Sequence, residues 1–371
     1  MSLPDLSALS SAPVEVDIAI TGRCNLRCCY CYYADEMTAR GDLPTDRWLA
    51  FFEELGRLAV RRVYVTGGEP FTRPDLFELI DGIIANRMRY ALLTNGTLLT
   101  EERLACFDQG RRRARLDYIQ VSIDGSRAEI HDQSRPASFE RAIGGLRLLV
   151  AGGFHAPVRI TVNRHNVGDL EETVHLLLDE IGVPLVSTNE AFPCGVTERD
   201  AGRLILTPAQ REQAMRTLVE LADRYPGRIN ATAGPLALAR QFQMIEEAQA
   251  AGQNRLPGRG TLSSCGCPFS KIAVHHDGTI VPCHLLASLR LGTIGVDDLR
   301  QVWQHHPTLQ ALRQRHDIPL STLPTCADCA YQGFCTGGDP AGALFLTGEL
   351  NARNPMDCLR VHRGEDPFYA L

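Results

Sequence analysis

Apolar positions fall into two periods along the first half of the chain. Val14, Val16, Ile18 and Ile20 alternate with polar residues, the period of a strand that buries one face. Short β-branched runs at 62–66, 89–93, 118–123, 158–162 and 184–188 predict five more strands. Between them the period lengthens to that of a helix. Residues 45–59 open on Thr45 and Asp46, which favour helix starts, and repeat apolar side chains at helical spacing. Segments 75–86, 100–108, 138–151 and 169–181 follow suit, and 207–225 adds a sixth helix. Strands that alternate with helices build a parallel sheet. Six such units predict an α/β fold: a partial (β/α)6 barrel rather than the closed eight-unit form.

After Tyr225-Pro226-Gly227 the alternation stops. Residues 231–251 read as one more helix, and 252–260 as a polar connection containing Gly and Pro. From Cys265 onward, cysteine spacing orders the chain more than apolar periodicity does. The predicted organisation is a lead-in at 1–13, the barrel at 14–225, a helical linker at 226–262 and a small, loop-rich, cysteine-rich domain at 263–371.

Composition narrows the function. The 371 residues are 44% hydrophobic and 22% charged, with a net charge of −6. Nothing there favours nucleic acid or an anionic membrane as a partner. The one basic run, Arg111-Arg112-Arg113-Ala114-Arg115, reads as a solvated connection, with a docking patch for an acidic partner as the alternative. Residues 1–13 lack the basic start and apolar run of a secretory signal, and no apolar stretch is long enough to span a membrane. The expected location is the cytoplasm, where thiols stay reduced. Thirteen cysteines in that setting indicate metal ligation rather than disulfides.

Directly after the first strand, Cys24, Cys28 and Cys31 form C-x3-C-x2-C. Three thiolates on one short loop can hold three irons of a [4Fe–4S] cubane, leaving the fourth iron open to a substrate. A zinc site is the alternative, although structural zinc takes four protein ligands. Cys29 fits as a bystander, or as a substitute ligand should Cys28 be lost.

This loop, with Tyr30 just before its last cysteine, resembles the signature of the radical S-adenosylmethionine (SAM) superfamily. The resemblance extends through Thr66-Gly67-Gly68-Glu69-Pro70 after the second strand, Thr94-Asn95-Gly96 after the third and Ser122-Ile123-Asp124-Gly125 at the fourth. It implies that the Gly67-Gly68 backbone and Glu69 hold the SAM amino group, and that Thr94, Asn95, Ser122 and Asp124 approach its ribose and methionine parts. Arg135 resembles the arginine that pairs with the SAM carboxylate, and Asn163 lies where relatives contact adenosine. All follow strand ends, where barrel folds place their active sites. The mechanism implied is reductive cleavage of SAM to methionine and a 5′-deoxyadenosyl radical, which takes a hydrogen atom from substrate.

The later cysteines resemble the SPASM extension of peptide-modifying relatives. Cys267 is followed by ten residues, Gly278, four residues and Cys283; Cys326-x2-Cys329-x5-Cys335 and Cys358 come later. Six of the pattern's seven cysteines match, and Asp339 stands at the seventh position. The resemblance implies one or two auxiliary clusters. Cys326, Cys329, Cys335 and Cys358 would ligate one; Cys267, Cys283, Asp339 and the nearby Cys265 are candidates for the other. A zinc ribbon, ordinary thiols and a turn-capping Asp339 are the corresponding alternatives.

The tail from Gly337-Gly338-Asp339-Pro340-Ala341-Gly342-Ala343-Leu344 through Thr347-Gly348-Glu349 to Cys358 is similar to that of the maturases of pyrroloquinoline quinone and mycofactocin and of haem-pathway relatives. In the anaerobic sulfatase-maturating enzymes, an Asp after the cysteine at the Cys283 position acts as base. Here it is His284, which can also take a proton. The leading expectation is oxidative modification of a ribosomally made peptide by cross-linking, thioether formation or dehydrogenation. A flavodoxin- or ferredoxin-type donor would supply electrons. With about a dozen residues before the first strand, a separate leader-peptide-binding protein is expected to help, or the barrel and SPASM surfaces to bind the leader themselves. The rival readings are the same chemistry on an aminocyclitol or haem precursor, and a non-catalytic iron–sulfur electron carrier or scaffold.

Overall fold

The computed structural model describes residues 10–39, 41–195, 201–263 and 265–366. Most of the lead-in at 1–13 therefore lies outside the described residues. All six expected strands form: β1 (Glu15–Ala19), β2 (Arg62–Thr66), β3 (Arg89–Thr94), β4 (Leu116–Ser122), β5 (Val158–Val162) and β6 (Val186–Glu190). They pair in parallel, in chain order, with Glu15 beside Arg62 and Arg62 beside Arg89. The last strand begins two residues later than its hydrophobic run. Pro184 cannot donate to the ladder, and the shift carries Asn189 and Glu190 to the strand's C-terminal end.

The sheet continues beyond these six. Ile229–Ala231 adds β7 beside β6, too short at three residues to show a period. Three strands of the cysteine-rich region join the other edge: β8 (Lys271–Val274), β9 (Thr279–Val281) and β10 (Gly292–Thr293). β8 lies parallel to β1, with Glu15 beside Lys271, and β9 and β10 follow antiparallel. The order is β10-β9-β8-β1-β2-β3-β4-β5-β6-β7. One sheet thus passes from the barrel into the cysteine-rich region.

Alternation decides the two faces. Val16, Ile18, Val63, Val65, Ile119 and Val121 are buried against the helical layer. There Trp48, Phe51, Phe52 and Leu55 project from one side of Thr45–Arg57 at the expected helical spacing. The same core takes in Ile272, Ile280, Trp303 and Leu309, so the cysteine-rich region shares it. The concave face is polar at its floor. Arg62 bonds Glu15 at 2.9 Å and Asp117 at 2.5 Å, and Lys271 of β8 reaches Asp17 at 3.4 Å. The basic run forms one helical turn, Arg112–Arg115, in which Arg112 pairs with Asp81, and Arg113 with Asp108 over the Phe154 ring. Among the described residues, no helix is long and apolar enough to cross a membrane.

Phe52 is fully buried and stacks on Trp48, with ring centroids 6.2 Å apart. Phe52→Ala is expected to cost about 3–5 kcal/mol through the cavity it leaves. Urea unfolding followed by circular dichroism will measure it.

Candidate active site

The loop after β1 is held by Asp42 on one side and by the loop after β2 on another. Asp42 accepts bonds from Thr21 Oγ1 and the Gly22 N–H, both at 2.7 Å. Gly68 N donates to Thr21 O and Glu69 N to Arg23 O, both at 2.8 Å. A Cβ on Gly67 would fall 2.5 Å from Thr21 O, and one on Gly68 2.1 Å from Arg23 O. Gly67 also has φ +133°, a conformation glycine accepts far more readily than other residues. The glycine pair therefore serves the close approach of its own loop to the cysteine loop.

Cys24, Cys28 and Cys31 line one wall of a cavity of about 460 Å³ at the C-terminal ends of the strands. Cys29 is not among the lining residues; its N–H donates to Ser134 O at 3.1 Å. The Leu26 N–H donates to Cys24 Sγ at 3.4 Å, and Arg135 Nη1 stands 3.7 Å from Cys28 Sγ. Burial raises all three thiols, Cys31 to about 11. Holding them as thiolates thus needs a bound cationic centre, which an iron–sulfur cluster supplies. The donor set fits such a cluster.

The SAM-motif residues divide into two groups. Gly67, Gly68, Thr94, Asn95, Ser122, Arg135 and Tyr30 line the cavity. Glu69, Asp124 and Asn163 are buried behind it and hold the wall in place. Glu69 accepts from Thr94 Oγ1 and the Asn95 N–H, each at 2.8 Å, while burial raises its pKa against those bonds. Asp124 accepts from Arg135 Nε at 2.6 Å, from the Thr161 N–H at 2.8 Å and from the Tyr30 hydroxyl. Asn163 bonds Ser134 Oγ at 3.1 Å and Thr161 O at 3.0 Å. Asn25, Thr97, Asp42 and Ser134 had no signal in the sequence beyond adjacency to the motifs. Asn25 joins the cysteine loop to the β3 turn through Thr97 Oγ1 at 2.8 Å and the Asn95 amide at 3.0 Å.

The opposite wall comes from the C-terminal region and includes Asp339, Asn354 and Asp357. Asp339 caps the helix Pro340–Thr347, accepting the Gly342 N–H at 2.9 Å, and also accepts from Asn354 Nδ2 at 2.7 Å. Its carboxylate is thus engaged as a cap, while its charge acts on Cys265 and Cys283. Cys267 N donates to Cys265 Sγ at 3.4 Å. Arg315, fully buried, sits within electrostatic reach of Cys265 and Asp339, with both Nη atoms lacking a hydrogen-bond partner. An anionic cluster beside it fits that unmet charge.

Cys326, Cys329, Cys335 and Cys358 converge on a separate small void. The Gly337 N–H donates to Cys335 Sγ at 3.3 Å. Arg353 Nη1 donates to Cys358 Sγ at 2.9 Å while pairing with Asp366. Four thiols with these donors also fit a cluster. Among the described residues, no group of three or more His, Cys, Asp or Glu is arranged around a single metal ion. His284 does not line the cavity. Its ring stacks on His275 at 5.4 Å and meets Tyr33 edge-on, and burial lowers its pKa to about 3.

Residues 18–177 match the model of the radical SAM superfamily, and residues 265–330 that of the SPASM iron–sulfur cluster-binding domain. Over 356 residues the chain is 28% identical to an AdoMet-dependent heme synthase of Methanosarcina barkeri, covering 94% of this chain and 97% of that one. It is 27% identical over 353 residues to a PqqA peptide cyclase of Ruegeria pomeroyi, covering 93% and 87%. Its fold is similar to that of Streptococcus suis SuiB bound to the precursor peptide SuiA. The TM-score is 0.72 at 16% identity, over 94% of this chain and 76% of that one.

Two tests follow. Gly68→Ala should displace the cysteine loop and lower bound iron by about four per chain, one cubane's worth; iron analysis after reconstitution reads this. The second concerns His131, buried between Asp124 N at 3.1 Å and Ser138 Oγ at 3.0 Å, with its pKa lowered to about 4. The unfolded residue takes up a proton near pH 6.5, before the folded one does. Stability should therefore fall as pH drops below about 6.5, by about 2 kcal/mol between pH 7 and 5. Urea unfolding at both pH values should show this component missing in His131→Gln.

Proposed function

From a chain that carries a radical SAM superfamily domain followed by a SPASM iron–sulfur domain, we propose an oxidoreductase that cleaves SAM reductively and oxidatively modifies a ribosomally made peptide. One observation carries the reading. A single cavity has Cys24, Cys28 and Cys31 with Ser122 and Arg135 on one wall, and Asp339, Asn354 and Asp357 of the C-terminal region on the other. Cys24, Cys28 and Cys31 hold the SAM-binding cluster. Cys326, Cys329, Cys335 and Cys358 hold the outer auxiliary cluster. Cys265, Cys267 and Cys283, with Asp339 beside them, hold the inner one.

When bound, the clusters supply one-electron chemistry: reduction of SAM at the first, and removal of a second electron from the modified substrate at the auxiliary sites. The chain's own residues do the positioning. Arg135, fixed by Asp124 at 2.6 Å, presents its guanidinium beside Cys28, where a SAM carboxylate can pair with it. Ser122, Thr94 and Asn95 border the space for the rest of SAM.

The peptide reading is supported by the similarity to the PqqA peptide cyclase and by SuiB, whose structure holds a precursor peptide. The similarity to the heme synthase over 97% of its length supports the same chemistry on a haem precursor as the second reading. A flavodoxin- or ferredoxin-type donor supplies electrons, and a separate leader-peptide-binding protein can assist.

Reconstituted, reduced protein should convert SAM to 5′-deoxyadenosine and methionine, and replacing Cys24, Cys28 and Cys31 together by Ala should abolish this. Wild type should bind about twelve irons per chain and the triple variant about eight. Undiminished turnover in the triple variant, or no turnover in wild type, contradicts the assignment. Mass spectrometry with candidate precursor peptides and with haem precursors then separates the two substrate readings.

A further inference from the structure

We propose that Arg159 is a carboxylate-binding residue of the reaction cavity, so that the substrate residue drawn into the barrel carries an acidic group. This rests on the cavity being the reaction site, as proposed above, and names the chemistry of what enters it.

Arg159 is the second residue of β5 and lines the cavity together with Thr161. In register it lies beside Ser122 of β4 on one side and Ser187 of β6 on the other. Among the described residues, no ion pair or hydrogen bond engages its guanidinium, unlike the other strong charges nearby. Arg135 has Asp124 at 2.6 Å, and Glu190 is paired with Arg211. Below them, Glu15 is taken by Arg62 at 2.9 Å, Asp17 by Lys271 at 3.4 Å and Asp117 by Arg62 at 2.5 Å. Asp339 and Asp357 share the Asn354 amide on the far wall.

Burial works against the Arg159 charge and lowers its pKa. The titratable neighbour acting on it is Tyr118, whose own pKa is pushed up to about 12, so the phenol supplies no counter-charge near neutrality. A half-buried guanidinium left without an anion is costly. A carboxylate from the occupant would remove that cost with charge-assisted bonds. A second unmet group points the same way. Asn189, in register with Thr161, also lines the cavity, and its side-chain oxygen is buried without a donor. An acid-bearing amino-acid residue offers both a carboxylate for Arg159 and an amide N–H for Asn189. Three sources share the carboxylate chemistry: an acidic side chain, a free C-terminus and the methionine part of SAM.

The test is calorimetric titration of anaerobically reconstituted, SAM-loaded protein with three probes. N-acetyl-L-glutamate N-methylamide carries a side-chain carboxylate, N-acetyl-L-glutamine an α-carboxylate, and N-acetyl-L-glutamine N-methylamide neither. Wild type should bind at least one acid probe about tenfold or more tightly than the neutral one. Whichever acid probe is preferred identifies the peptide source. Arg159→Gln should erase the preference, and Arg159→Lys should retain it at reduced affinity. Equal binding of acid and neutral probes by wild type overturns the proposal, as does a full preference in Arg159→Gln. A loss of SAM affinity greater than the loss of acid-probe affinity also overturns it, by assigning the guanidinium to SAM. Probe binding is read independently of turnover, so absence of SAM cleavage would count against the function proposed above and not against the carboxylate site.

Discussion

Both edges of β1 are paired, and the site depends on that constraint. On one side β2 runs parallel to it; on the other, β8 joins it from the cysteine-rich region more than 250 residues later in the chain. The loop that leaves its C-terminal end carries Cys24, Cys28 and Cys31. The strand that flanks it leads through β9 to Cys283, two residues past Val281. Hydrogen bonds along one strand thus set two cysteine groups on a common frame. Gly67 and Gly68 complete the arrangement, because without a Cβ the β2 loop can press directly on the β1 loop.

The electrostatics repeat across the three cysteine groups. Arg135 stands beside Cys28, Arg315 within reach of Cys265, and Arg353 against Cys358. A cluster held by thiolates carries negative charge into a partly dry interior, and a buried guanidinium offsets it; Arg135 and Arg353 also donate to sulfur. Each guanidinium is itself positioned: Arg135 by Asp124, Arg353 by Asp366 and Arg315 by the Ser263 carbonyl. The same pairing that compensates charge also fixes the geometry around each group.

Much of this was legible in the sequence, and the gaps have physical causes. The six barrel strands declare themselves because each buries one face and repeats a local period. The cysteine groups declare themselves through spacing, which is also local. β7 is too short for a period, and β8 to β10 lie in a segment where cysteine spacing masks the apolar pattern. Roles set by distant partners were least visible. Glu69, Asp124 and Asn163 sit in the expected motifs, and their bonds to Thr94, Arg135 and Ser134 were set by partners distant in sequence. His284 follows Cys283 as a base would, but its ring is stacked on His275. Asp339 caps a helix, an alternative already implicit in the Gly337-Gly338-Asp339-Pro340 sequence. Arg353 and Arg315 carried no sequence signal, since their partners are defined only by the fold.

The central claim is that one cavity joins a SAM-binding cluster to an auxiliary-cluster wall. An anaerobic crystal of the reconstituted protein with SAM, with an iron anomalous difference map, tests it most directly. The account predicts an iron peak at Cys24, Cys28 and Cys31 with SAM reaching from it into the cavity beside Ser122 and Arg135. It also predicts separate iron peaks at the Cys326 group and at the Cys265 group across the cavity. Zinc at the Cys24 loop, or SAM bound outside this cavity, would contradict it.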